Sequence, residues 1–325
     1  MSSKLLIKVG DDAFKHDKQS EPLIKRVLYR DDVMLLLGSE KAGKSILAQQ
    51  LAFCCTSGDA FLGKFEVTKP INVAYFQTEG KEGEGVDRRL RMEQVVKPDR
   101  SRYAHFYKKF FPIDIDAYRD FLIQGLESLP WKPDLMIIDA LYMAMVGDLI
   151  DNKEVRKLIA NVSYILEKFS LTCVVVHHET KEEFDKDTHE AVDKGDKGSY
   201  GSVFLRAWVD HIIYLKKIGP RTRLLKCDTQ RSGKMLEKEN LVLIGDASSD
   251  KPNEPLYFEL NEEQDAARQA IIAMIRMKKR ATQLELKEMS GLANSTLYKI
   301  LRGLVTDKKV IEIEKETYEL CQPAK

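Results

Sequence analysis

Gly38 and, after four intervening residues, Gly43-Lys44-Ser45 are the residues whose types and spacing point most directly to chemistry. The pattern G-x-x-x-x-G-K-[ST] makes a phosphate-binding loop. Its glycines let backbone N–H groups face phosphate oxygens, its lysine reaches the β- and γ-phosphates, and its serine hydroxyl joins a Mg²⁺ ion. The expected cradle is Gly38, Ser39, Glu40, Lys41, Ala42, Gly43, Lys44, Ser45 and Ile46, with ATP and Mg²⁺ as ligands. Such a loop must be held by a strand before it and a helix after it. The apolar run Val33–Leu37 and the helical spacing of Ile46, Leu47, Leu51 and Ala52 supply both. The helix adds the positive end of its dipole.

Hydrolysis needs more: a second cation anchor, an acid that orients or deprotonates water, and a group that meets the γ-phosphate. The stretch "PDLMIIDA" is an apolar strand ending in Asp139, expected to share Mg²⁺ with Ser45. The next residue, Ala140, cannot act as an acid. Glu79, just past the strand in "VAYFQTEG", can; ligands gather at the carboxyl ends of strands in open α/β sheets, so Glu79 is the expected base.

The elements that must position these groups alternate. Strands at Val33–Leu37, Asn72–Phe76, Leu135–Ile138 and Thr172–Val176, separated by helical segments, predict an α/β fold with a mainly parallel central sheet. His211–Leu215 and Arg223–Cys227, around "KKIGPRT", read as an edge hairpin. Residues 179–197, "ETKEEFDKDTHEAVDKGDK", are too charged to bury and read as a loop. The stretch "SSDKPNEP" marks a linker. The partition is an N-terminal tail 1–20, an ATPase domain 21–247, a linker 248–257 and a small domain 258–325.

In that last domain, residues 262–279 read as an amphipathic helix and Thr282 as the cap of a second one. Gly291 makes the turn, and "NSTLYKILRGLVTDKK" opens a third helix with the cap pair Asn294-Ser295. "KVIEIEKETYEL" reads as a two-stranded wing, completing a winged helix-turn-helix. Asn294, Ser295, Tyr298, Lys299 and Arg302 are expected to face DNA while Leu297, Ile300, Leu301 and Leu304 pack inward. The net charge of +1 excludes a wholesale polyanion binder, but Arg276–Lys309 holds nine Lys or Arg against three Asp or Glu, a local basic patch. The acidic wing, with Glu312, Glu314, Glu316 and Glu319, leaves protein docking open as the other use of this domain.

No apolar run approaches the roughly 18 residues of a membrane span, and the N-terminus lacks the apolar stretch of a signal peptide, so the expected location is cytoplasmic. Five cysteines form no C-x-x-C pair and read as buried small hydrophobes rather than zinc ligands or disulfides.

The segments "GSEKAGKSILAQQLAFCCTSG", "FLGKFEVTKPINVAYFQTEG", "DLMIIDAL", "VVVHHETK" and "KGSYGSVFLRAWVDHIIYL" together resemble RecA-like ATPases grouped with the plasmid RepA-type hexameric helicase, over about residues 20–235. The resemblance implies a RecA-like P-loop core with Glu79 as its remote catalytic acid and His178 at the γ-phosphate. It implies that Lys41 supplements phosphate binding or faces solvent. It also implies a homo-oligomer, with a hexameric ring expected, in which Lys197, Arg206 or Arg231 reaches a neighbour's nucleotide. Related ring helicases carry a Lys two residues before the last Arg, where this chain has Thr229. The function implied is a DNA-dependent ATPase that translocates on or unwinds single-stranded or duplex DNA in the replication of a mobile element. The alternative is an ATP-regulated DNA-binding or initiator protein. A small-molecule kinase would need a lid of clustered arginines in place of the C-terminal domain.

Overall fold

A computed structural model describes residues 9, 21–147, 151–178, 203–231, 235–247, 253–306 and 309–321. The chain divides into two compact units, residues 1–260 and 261–325. The charged segment 179–197, with Lys197, lies outside the described residues, as does most of the tail 1–20.

In the first unit a two-stranded ribbon, β1 (Pro22–Ile24) and β2 (Leu28–Tyr29), precedes the alternation. Strand β3 (Val33–Gly38) leads into α1 (Lys44–Ser57), β4 (Val73–Gln77) into α2 (Glu82–Glu93), β5 (Tyr103–Tyr107) into α3 (Asp116–Glu127) and β6 (Leu135–Asp139) into α4 (Asn152–Phe169). Then come β7 (Thr172–His178), α5 (Val203–Trp208), β8 (His211–Lys217), β9 (Thr222–Gln230), β10 (Lys238–Ile244) and β11 (Tyr257–Leu260). The sheet order is β11-β10-β9-β8-β3-β7-β6-β4-β5. Strands β5, β4, β6, β7, β3 and β8 pair in parallel, whereas β9, β10 and β11 continue antiparallel. The predicted mainly parallel α/β core is therefore present.

The central strands are apolar on both faces because both are covered. Val33, Leu35 and Leu37 of β3 pack with α3, α4 and α5 on one side. Met34 and Leu36 pack with α1 on the other. Helix α1 is buried along nearly its whole length, since the sheet holds one side and residues such as Leu23, Phe61 and Phe258 hold the other.

Several expectations need correction. The β8–β9 hairpin is not at an edge: β10, with buried Leu241 and Leu243, extends the sheet, and β5 forms the opposite edge. Tyr257, expected in the linker, and Phe258–Leu260, expected in the small domain, instead form β11 of the first unit. Phe258 explains this. Its ring is buried, and its N–H and C=O bond Gln50 Oε1 (2.8 Å) and Nε2 (2.9 Å), clamping β11 to α1. Among the cysteines, 54, 55 and 173 are buried as expected, but 227 and 321 are only partly so.

The second unit contains α6 (Glu262–Lys278), β12 (Arg280–Thr282), α7 (Gln283–Ser290), α8 (Asn294–Thr306), β13 (Val310–Glu314) and β14 (Thr317–Leu320). Thr282 caps α7 in a reciprocal capping box with Glu285, and Gly291 ends that helix at φ 66°. Helix α8 already includes Asn294, so Asn294 and Ser295 occupy its first turn and do not cap it. The hairpin gains a third strand, in the order β12-β14-β13. Ile271, Ile275, Leu286, Leu297, Ile300, Leu301, Leu304, Val310 and Tyr318 form a separate small core.

Candidate functional site

Parallel pairing aligns the carboxyl ends of β4, β6, β7 and β3. Register sets Gln77 beside Asp139, Asp139 beside Val176, and His178 beside Gly38. Residues far apart in sequence thus leave the sheet on one rim. The loop between β3 and α1 needs both its glycines. A Cβ on Gly38 would lie 2.4 Å from Leu215 O of β8; Gly43 has φ +99°, and a Cβ there would lie 2.8 Å from the Phe258 ring. Lys41, at φ 57°, is exposed at the tip of this loop.

Lys44 is 4% exposed, and its Nζ donates to Gly38 O (2.8 Å) and Ser39 O (2.9 Å) and lies 3.0 Å from His178 Nδ1. An ammonium can only donate, so Nδ1 accepts and the ring proton sits on Nε2. That nitrogen is 3.8 Å from Glu79 Oε2. Glu79 Oε2 also accepts from the Tyr142 hydroxyl. His178 first, and then Tyr142, hold the Glu79 carboxyl below its usual value despite partial burial. Glu79 is therefore ionised at neutral pH. The Tyr142 ring meets the His178 ring edge-on at 5.2 Å.

Ser45 Oγ donates to Asp139 Oδ1 (3.0 Å), and the buried Tyr75 hydroxyl donates to Oδ2 (2.6 Å). Burial raises the Asp139 carboxyl above its usual value, while Tyr75 and Ser45 oppose the shift. Beyond Asp139 the peptide bond to Ala140 is cis, and Thr78 Oγ1 bonds both Ala140 O (2.7 Å) and Ala140 N (2.8 Å). His177 points elsewhere in function: it is buried, and burial pushes it down to about 4, leaving it neutral.

The structure thus brings together Lys44, Ser45, Asp139, Glu79 and His178. A serine hydroxyl beside a carboxylate is an all-oxygen pair suited to a hard cation, and a buried ammonium in a loop of turned amides suits a polyphosphate. Among the described residues no group of three or more His, Cys, Asp or Glu could by itself hold a metal ion.

Tyr75 and Tyr142 escaped the sequence reading. The only trace was a phenol within each apolar stretch, "NVAYF" and "DALYM", and nothing in the spacing says which carboxylate each would meet.

Residues 3–183 match the family model for an AAA domain, AAA_25. The chain belongs to that family. With its strand order and site, this makes the first unit of the AAA-domain protein a RecA-like P-loop ATPase core. Solved structures similar to it include the RadB recombinase, at 16% identity, 71% of this chain and 91% of that one, with TM-score 0.46. Another is a KaiC-like protein from Pyrococcus horikoshii OT3, at 12% identity, 76% of this chain and 98% of that one, with TM-score 0.47. No curated protein sequence matches the chain.

Two further residues lie away from the cluster. The guanidinium of Arg206 is 3.3 Å from Asp228 Oδ2. Arg231 is exposed and donates from Nη1 to Ala207 O (2.8 Å). On α8, Asn294, Ser295, Tyr298, Lys299 and Arg302 are all exposed, and the four inward leucine and isoleucine positions are all buried. Among the described residues no helix is long and apolar enough to cross a membrane.

Proposed function

We propose that this AAA-domain protein is a DNA-dependent ATPase of the RepA-type ring-helicase class, coupling ATP hydrolysis to DNA translocation or unwinding in the replication of a mobile element. The convergence of Lys44, Ser45, Asp139, Glu79 and His178 on one rim of the sheet carries the proposal. Lys44 exchanges its own loop carbonyls for the β- and γ-phosphates. Ser45 and Asp139 would hold Mg²⁺, which would offset charge on the phosphate oxygens. Glu79, ionised, takes a proton from the attacking water. His178, released from Lys44, meets the γ-phosphate.

A RecA-type site is completed by a neighbouring copy, so the working form is a homo-oligomer, with a hexameric ring as its geometry. Arg231, exposed, is better suited to reach that neighbour than Arg206, which faces Asp228; Lys197 is the third candidate. The second unit is a winged helix-turn-helix whose recognition helix is α8, with Asn294, Ser295, Tyr298, Lys299 and Arg302 towards DNA. Its exposed basic residues support this use.

One observation favours a second reading. The Gln50–Phe258 clamp ties α1, which follows the phosphate loop, to β11, whose last residue directly precedes the second unit. Such a link suits a protein in which nucleotide state regulates DNA binding or oligomeric state. Strand displacement on forked DNA separates the two. ATP- and Mg²⁺-dependent displacement that Glu79→Gln abolishes supports the helicase, while ATP-modulated DNA binding without displacement overturns it in favour of the regulator.

A further inference from the structure

Helix α2 is turned against its own hydrophobicity. Gly85, Arg88, Arg89 and Met92, at the i, i+3, i+4, i+7 spacing of one helix face, line a cavity of about 210 Å³. Val86 and Leu90 meanwhile stand 38% and 51% exposed. An ordinary surface helix places such residues the other way round. Gly85 makes this seating possible, because a Cβ there would lie 2.5 Å from Gln77 Oε1. Gln77 is itself fixed, its Nε2 donating to Glu79 O (2.8 Å) and its Oε1 lying 3.1 Å from His105 Nε2.

Ser45, Asp139 and Glu79 line the same cavity, so it adjoins the cation and water positions of the proposed site. Gln49 of α1 is a further wall. It is 6% exposed, its Oε1 accepts from Tyr103 (3.1 Å), and its Nε2 has no hydrogen-bond partner among the described residues. A buried amide donor left unpaired is costly, which points to an acceptor that the cavity is built to receive. Two guanidiniums add donors of matching geometry: Arg88, whose Nη2 is 4.0 Å from Glu84 Oε2, and Arg89, whose Nη1 lies 3.0 Å from His105 Nε2 and whose other nitrogens carry further N–H donors. The carboxylates sit on the rim that faces the cation and water positions, Asp139 bonded by Ser45 and Tyr75 and Glu79 by Tyr142 and near His178, while the guanidiniums and Gln49 lie along α2 and α1. His105, pushed down to about 3 by burial, adds no charge at neutral pH.

We infer that the cavity binds a tetrahedral oxyanion, inorganic phosphate, and serves as a station for the phosphate cut from the nucleotide. The volume holds several waters' worth of ligand, at about 30 Å³ each. The inference rests on reading the adjoining site as an ATPase.

The test uses the full chain loaded with MgADP, without turnover. Titration calorimetry with inorganic phosphate is expected to give saturable binding. Arg88→Gln and Gln49→Leu are each expected to weaken it about tenfold or more while MgADP affinity changes by no more than about twofold. Arg88 is partly exposed on its helix, so its variant tests the idea even where Gln49→Leu fails to fold. No saturable uptake, or equal loss of MgADP affinity in Arg88→Gln, overturns the site. A second arm follows phosphate made in place: in a single turnover, release lags cleavage, and Arg88→Gln shortens the lag. Binding from solution with no lag in the parent overturns the station role. Because the first arm needs no hydrolysis, an inactive ATPase site would not mimic its failure.

Discussion

Lys44 and Lys299 are both basic residues on helices, the first in the opening turn of α1 and the second in α8, yet their surroundings are opposite. Lys44 is 4% exposed and held by two carbonyls and an imidazole. Lys299 stands exposed on α8, with Ser295 and Arg302, both also exposed, one turn away on its face. The difference teaches how each unit can work. In the first, strand ends fix each group against a named partner, so removing one atom changes the chemistry. In the second, the folded core only presents a face, and each charge acts through the field it shares with its neighbours.

If that contrast is right, the largest effect comes from the most enclosed group. Lys44→Ala should abolish ATP turnover and weaken nucleotide binding, as measured by steady-state hydrolysis and fluorescent-nucleotide titration, because the buried cation on the phosphates is gone. Glu79→Gln should keep nucleotide binding but lose about 10²-fold or more in rate, since it removes a proton acceptor and leaves the phosphate cradle in place. A parent-like rate in Glu79→Gln would remove Glu79 from the mechanism.

Next comes the clamp that keeps α1 in position. Phe258→Ala should cost about 3–5 kcal/mol of stability, by denaturant unfolding, because it empties a packed site against the phosphate loop. A cost below about 0.5 kcal/mol, the range of an ordinary surface change, would mean that β11 merely lies beside α1.

Acid should distinguish the units as well. Burial depresses His177 to about 4 and His105 to about 3, from ordinary values of 6.5. The unfolded chain therefore binds protons that the folded one refuses. The stability these groups contribute is complete above about 6.5 and is lost as pH falls towards their folded values, with a slope of at most about 1.4 kcal/mol per pH unit for each. Thermal melting of His105→Gln should lose less than the parent between pH 7 and pH 5; equal losses would remove His105 from the acid response.

The smallest effects belong to α8. Lys299→Ala and Arg302→Ala should each flatten the log–log salt dependence of duplex DNA binding by about one unit and leave ATP turnover without DNA unchanged. An unchanged slope and affinity in the double variant would make protein docking the better account of the second unit.

The sequence by itself determined which residues could do this chemistry and roughly where each would leave the sheet. The phosphate loop is a local pattern, Asp139 and His178 end apolar runs, and α8's inward stripe follows from helical spacing, so each is encoded within about a dozen neighbouring residues. Only the tertiary structure decided who meets whom. Tyr75 and Tyr142 find Asp139 and Glu79 across parallel strands, and such pairings depend on register that no short stretch records. The same holds for β11. A single strand after a polar linker looks like the beginning of the next domain until it pairs with β10 and Gln50, 208 residues earlier, takes the N–H and C=O of Phe258. It holds most of all for α2, where the arginines turn inward because Gly85 lets the helix rest on Gln77, a contact between two elements that decides the direction of a third group of side chains.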